Sequence, residues 1–149
     1  MNLTFSLIKP SAMDRCEEIL MAIKAGGFSV LSMKTQQLTL SQVKKFYEEH
    51  AEKSFFTSMC ERLALGPVLL MALYEPNGTD TPLKFRKLLG ATDPKQALEG
   101  TLRKQFGVDL DANAVHGSDS EISAIRELSF FFCGMETGLE LNGSSSRSL

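Results

Sequence analysis

The sequence predicts an α+β domain, helices packed on one small and mostly antiparallel sheet, and three observations carry that expectation. Its 149 residues suit one domain, a length at which roughly two-thirds of the unfolded chain's surface is buried. Runs of strand length alternate with stretches of helical period, including one pair of helical stretches between two strands. One run, "VLLMALYE" from Val68 to Glu75, is apolar throughout and fits the middle of a sheet.

"LTFSLI" (Leu3 to Ile8) alternates apolar with small or polar side chains and stops before Lys9-Pro10, a strand. From Arg15, "RCEEILMAIKAGG" sets Ile19, Leu20 and Ile23 on one helical face, with Gly26 and Gly27 as its stop. "FSVLSMKTQQLTL" is a strand with mixed faces. Ser41 is placed to cap "QVKKFYEEH", and Thr57 or Ser58 to cap "TSMCERLAL" before Gly66-Pro67. After the Val68 strand and the turn "PNGTDT", Thr81-Pro82 opens a helix whose leucines and Phe85 face inward. Residues 91–113 are broken by Pro94, Gly100 and Gly107, and long semi-structured segments of this kind are often functional. A short strand follows around "NAVHG". Ser118-Asp119-Ser120-Glu121 then matches a capping box ahead of a helix with Ile122, Ile125 and Leu128 on its apolar face. A split βαβ, or ferredoxin-like, unit threads this order.

Composition excludes several classes. Sixteen basic against eighteen acidic residues give a formal charge of −2, which argues against a surface for nucleic acid or anionic membrane. Cys16, Cys60 and Cys133 are odd in number and form no C-x-x-C pair, and there are only two histidines, so neither a disulfide framework nor a structural zinc site is expected. Reduced thiols point to a reducing compartment. The N-terminus lacks a basic n-region, and no run approaches the ~18 apolar residues of a membrane span. We expect a soluble, cytoplasmic domain over residues 1–134 and a flexible tail over 135–149, "METGLELNGSSSRSL".

Few residues carry chemistry by themselves. His116, in "NAVHGSDS", is either a turn histidine or a nucleophile aimed at a phosphate. Glu127, eleven residues on, either folds back to hold that ring or pairs on an exposed face. Lys9 ends an apolar strand directly before a proline, where its charge must emerge at the sheet's end or serve a site. Arg86 and Arg103 have the planar fork that suits phosphate oxygens, and each equally suits a solvated surface. His50 reads as a helix-terminal cation and Phe55-Phe56 as core or stacking platform. No G-x-x-x-x-G-K-[ST] or G-x-G-x-x-G loop occurs, so any nucleotide is held by another device.

"NAVHGSDS" resembles the N-x-x-H-G-[ST]-D-S motif of the nucleoside diphosphate kinase family. "SLIKP", "FYEEHAEKSFF", "GPV", "FRKLLGATDP" and "EGTLRKQFG" resemble further segments of that family in the same order, over residues 3–132. The resemblance implies a ferredoxin-like βαββαβ fold with a four-stranded antiparallel sheet. It implies transfer of the γ-phosphate of a nucleoside triphosphate such as ATP to a nucleoside diphosphate, in a ping-pong reaction through a phosphohistidine at His116. On the same basis Glu127 and Ser118 orient the ring, and Tyr47 supports Lys9 and the network. Lys9 and Asn113 meet the ribose hydroxyls. His50, Arg86, Thr92 and Arg103 meet phosphates; Phe55 stacks on the base, with Leu110 on its other face and Met59 nearby. Mg2+ would come on the nucleotide rather than in a protein cage. A homo-oligomer is implied, a tetramer or hexamer with a dimer as the alternative.

Two departures stand out. Lys9-Pro10 is followed by Ser11-Ala12 rather than Asp-Gly, on a turn about two residues shorter than the family's, and Ser54 stands where proline is usual. The rival readings are a non-catalytic relative that keeps the fold and a donor of phosphate to protein. The complete set of motif residues speaks against the first.

Overall fold

In the computed structural model, residues 2–132 are described; Cys133 and the expected tail over 135–149 lie outside the described residues. The sheet is built around β1 (Leu3–Ile8) and β3 (Pro67–Tyr74), paired antiparallel from Leu3↔Tyr74 to Ile8↔Leu69. β2 (Ser29–Gln37) adds to the outer side of β3, and β4 (Val115–Gly117) to the outer side of β1. The order β2-β3-β1-β4, antiparallel throughout, is the ferredoxin-like one.

Both faces of the central strands are buried, which a period of two converts into two cores. Leu3, Phe5, Leu7, Val68, Leu70 and Ala72 point to one side. There they meet α2 (Leu40–Phe46), α3 (Phe56–Leu63) and α6 (Glu121–Phe131) through Val43, Phe46, Cys60, Leu63, Leu128 and Phe131. Ile8, Leu69, Met71 and Leu73 point to the other side. There α1 (Cys16–Ala25), α4 (Thr81–Leu89) and α5 (Leu102–Phe106) cover them through Ile19, Ile23, Phe85, Leu89, Leu102 and Phe106. Helices therefore lie on both faces. The polar-looking alternation of β1 concealed this: Thr4 and Ser6 are buried as fully as Phe5. Ser6 is satisfied by donating its hydroxyl to the His116 carbonyl at 2.8 Å, which ties β1 to β4.

Several local expectations need correction. Thr39, not Ser41, caps α2, in a reciprocal box with Gln42. α3 starts after Phe55 with no side-chain cap, and the Ser58 hydroxyl turns instead to Asp111 in the loop before β4, with the Phe55 carbonyl a longer alternative acceptor at 3.2 Å. In α4, Phe85 and Leu89 face inward but Leu83 faces solvent. Ser120 caps α6 by accepting from the Ser123 amide, which releases Ser118 for another task. The buried face of that helix is Ala124, Glu127, Leu128 and Phe131, with Ile122 and Ile125 exposed. A glutamate on the inner face rotates the apolar stripe away from the isoleucines that hydropathy favours.

Candidate active site

β4 is only three residues long, and the turn that feeds it is strained. Ala114 has φ 76°, and the Val115 amide donates to the Asn113 carbonyl at 2.9 Å, a tight three-residue turn. Such a left-handed alanine costs about 1–3 kcal/mol unless its surroundings enforce it. Here β1 enforces it, because the Lys9 amide donates to the Ala114 carbonyl at 2.8 Å. Beyond the turn, His116 is paired with Leu7, and its ring lies among Phe5, Phe46 and Tyr47, at centroid distances of 5.9, 5.2 and 5.7 Å. Gly117 must be glycine: a Cβ there would come within 2.6 Å of Leu89 and 2.9 Å of Phe85. The histidine is thus held by backbone on both sides.

Its ring is held as well. His116 Nε2 lies 3.0 Å from Glu127 Oε1, and the Ser118 hydroxyl donates to the same oxygen at 2.7 Å. Burial opposes the charge on Glu127, yet His116, Ser118 and Arg126 together hold its carboxyl below the ordinary value. The carboxylate therefore fixes the proton on Nε2 and leaves Nδ1 as the ring nitrogen free to react. Glu127 does fold back, because its place on the buried face of α6 points it at the sheet.

In front of the histidine opens a cleft of about 300 Å³. Eleven of the thirteen expected residues line it: Lys9, Tyr47, His50, Phe55, Met59, Arg86, Thr92, Arg103, Leu110, Asn113 and His116. The other two, Glu127 and Ser118, stand behind the ring. Lys53, Gly117 and Asp119 line the cleft too. Of these, Asp119 sits inside the histidine motif and Lys53 two residues ahead of Phe55, so proximity to assigned residues was the only signal in the sequence.

The closed end gathers the basic side chains. Lys9 is buried, and desolvation together with the Arg103 charge lowers its ammonium from 10.5 to about 7, against an upward pull from Asp111 and Asp109. Burial and the like charge of Arg86 lower Arg103 to about 10. Arg103 donates to the Val115 carbonyl from Nε and Nη2 and to the Gly90 carbonyl from Nη1, so it braces β4 as well as facing the cleft. Burial, then the Glu127 charge, raises the Tyr47 phenol, which stays a neutral donor. Asn113 donates to the Thr92 carbonyl at 3.0 Å, while its own carbonyl oxygen is buried with no partner among the described residues. At the rim, Arg86 donates to Asp119 at 2.6 Å, and Glu49, His50 and Asp119 bring one ligand atom each within 4.8 Å.

A closed end rich in cations, a held imidazole and an open end with Phe55 and Leu110 suit a phosphorylated ligand with a flat, apolar head. Comparisons with known proteins agree. The family model described as "Nucleoside diphosphate kinase" matches residues 2–137. A nucleoside diphosphate kinase of Desulfovibrio desulfuricans is 42% identical over 138 residues, which cover 91% of this chain and 97% of that one. The Aquifex aeolicus nucleoside diphosphate kinase superposes with a TM-score of 0.85 at 33% identity, covering 91% of this chain and 98% of its own. A halophilic nucleoside diphosphate kinase from Halobacterium salinarum, solved in complex with CDP, gives 0.83 at 30% identity and covers 91% of each chain.

Proposed function

The chain belongs to the nucleoside diphosphate kinase family and is a phosphotransferase of that kind, and we propose that it works through Nδ1 of His116. The observation that carries this is the fixed ring: Glu127 takes Nε2, which leaves one nitrogen for the substrate. The Nδ1 lone pair attacks the γ-phosphorus of a nucleoside triphosphate, the bond to the bridging β-γ oxygen breaks, and the diphosphate leaves. A terminal oxygen of a second nucleoside diphosphate then attacks the same phosphorus and displaces the histidine. As the ring gains positive charge in the first step, Glu127 balances that charge, and the Ser118 hydroxyl holds the carboxylate in place.

Arg103, Arg86, His50 and Thr92 serve the phosphates, whose equatorial oxygens carry the spreading charge of the transition state. Lys9 bridges phosphate and ribose, with Tyr47 beside it. The unpartnered Asn113 oxygen is an acceptor matched to a ribose hydroxyl. Phe55 and Leu110 take the two faces of the base, with Met59 beneath, and such a clamp accepts any base. Magnesium belongs to this site as part of the nucleotide substrate. Glu49, His50 and Asp119 offer two carboxylates and an imidazole, too few oxygens to replace a magnesium ion's water shell but suited to accept hydrogen bonds from it.

We further propose a homo-oligomer in a reducing, cytoplasmic setting. Supporting this are the free Cys16 and Cys60 and the outer strand β2, which leaves Leu31 and Met33 exposed. No described helix is long and apolar enough to cross a membrane. The test of the function is intact-protein mass after incubation with ATP and magnesium. It should show an acid-labile gain of one phosphoryl group at His116, discharged by GDP with GTP formed. A folded protein that takes up no phosphoryl group would end the proposal.

A further inference from the structure

The base clamp just described has two jaws from distant parts of the chain. Phe55 and Met59 belong to α3 and its approach; Leu110 belongs to the loop between α5 and β4. A bond between a neighbour of Met59 and a neighbour of Leu110 joins them. The Ser58 hydroxyl, next to Met59, donates to Asp111 Oδ2, next to Leu110, at 2.9 Å. One turn further along α3, Arg62 stands 4.0 Å from the same Asp111 oxygen and 3.7 Å from Asp109. The loop is itself closed: Asp109 accepts the Ala112 amide at 2.8 Å, and the Val108 amide donates to the Ala112 carbonyl at 2.8 Å. A preformed loop is therefore fastened to a short helix at the side of the cleft.

We infer that Asp111 is a positioning residue that latches the two jaws of the base clamp through Ser58, and so sets nucleotide affinity without touching the reacting atoms. This rests on the base-site reading given above. α3 is anchored in the core by Met59, Cys60 and Leu63, but its approach at Phe55 is 38% exposed without a side-chain cap. Leu110 is 49% exposed on its loop, so the contacts of Asp111 are what tie that loop to the helix at the mouth of the cleft. A stacking clamp works only if its gap matches the thickness of a base. The Ser58–Asp111 bond is charge-assisted and shorter than the Arg62 contacts, and all of them lie on the exposed side of the cleft, where water weakens each. Asp111 is also one of two carboxylates that pull the Lys9 ammonium upward, which joins the latch electrostatically to the phosphate end.

The experiment is steady-state kinetics with ATP as donor and GDP or dTDP as acceptor, on the whole chain. The variants are Asp111→Ala, Asp111→Asn, Ser58→Ala and the Ser58→Ala/Asp111→Ala pair, with Phe55→Ala as control. We expect Asp111→Ala to raise KM about three- to tenfold for both acceptors, with kcat within about twofold of the parent. Asp111→Asn keeps an acceptor for the Ser58 hydroxyl and should restore most of the loss. The double variant should be no worse than Asp111→Ala alone, since both remove one bond. The inference is overturned if KM is unchanged in Asp111→Ala while Phe55→Ala loses affinity, or if the two single effects add. An effect confined to one base also overturns it, because that would make Asp111 a reader of the base edge. If Phe55→Ala has no effect either, the base site itself is wrong and the latch falls with it.

Discussion

The two ends of the cleft are built on opposite terms. At the closed end, Lys9, Arg103, Asn113, His116 and Glu127 are all less than a tenth exposed, and they hang on β1, β4, α5, α6 and the strained turn at Ala114. At the open end, Phe55 and Leu110 are 38% and 49% exposed on an uncapped helix and a loop. Chemistry on a phosphoryl group needs charges aimed to within a fraction of an ångström in a dry site. Grip on a base of any kind needs only two flat apolar surfaces at the right spacing. Substitutions at the closed end should therefore strike turnover, and those at the open end affinity.

His116→Ala tests the contrast hardest. Removing the nucleophile should lower kcat by about four orders of magnitude or more, to background, in a protein that still folds but melts lower, because a cavity opens and the Glu127 carboxylate loses a partner. Retained turnover would dissolve the distinction altogether. Arg103→Ala comes next, with an expected loss in kcat of about a hundredfold and a smaller change in KM, because its contact grows with transition-state charge. Arg103 also braces the Val115 and Gly90 carbonyls, so Arg103→Gln, which keeps donors for them, should melt like the parent and still turn over slowly. Phe55→Ala should do the reverse, raising KM about tenfold at nearly constant kcat. A fall in kcat there would mean that the open end takes part in the chemistry.

The smallest effect is a fraction of a proton. In the free protein Lys9 titrates at about 7 rather than 10.5. Phosphates favour its charged form, so between these values nucleotide binding should take up protons, and affinity should fall as pH rises. Calorimetric titration at about pH 8 in buffers of different ionisation enthalpy would count them, up to about one. Lys9→Met should take up fewer. The same shift acts on folding: the cost of burying the charged ammonium is full below pH 7 and is relieved as pH rises toward 10.5.

Much of the closed end was legible in the sequence, since its residues lie in contiguous motifs with unusual types: a histidine in "NAVHGSDS" and a lysine ending an apolar strand. β1 and β3 were legible because apolar runs of strand length have few other uses. What misled was competition for one role. Ser118 and Ser120 both suit a helix cap, and only the structure tells which one is free to hold Glu127. Ile122 and Ile125 outrank a glutamate in any hydropathy pattern, yet the glutamate faces inward because its charge is matched there. The bond between Ser58 and Asp111 spans 53 residues with no local pattern to announce it. Sheet order, and with it the coverage of both faces, is a property of the whole chain.

The Lys9 amide that holds the Ala114 carbonyl joins positions more than a hundred residues apart. On a ribosome the first strand is made early and the last late. While the chain is growing, Lys9 has no Ala114 to hold, the strained turn has nothing to enforce it, and the imidazole has neither Glu127 nor the sheet to orient it. Reactivity at the histidine should therefore arise in one step once α6 has been made, and a chain stalled or truncated before it would carry no partly competent site able to hydrolyse nucleotides wastefully.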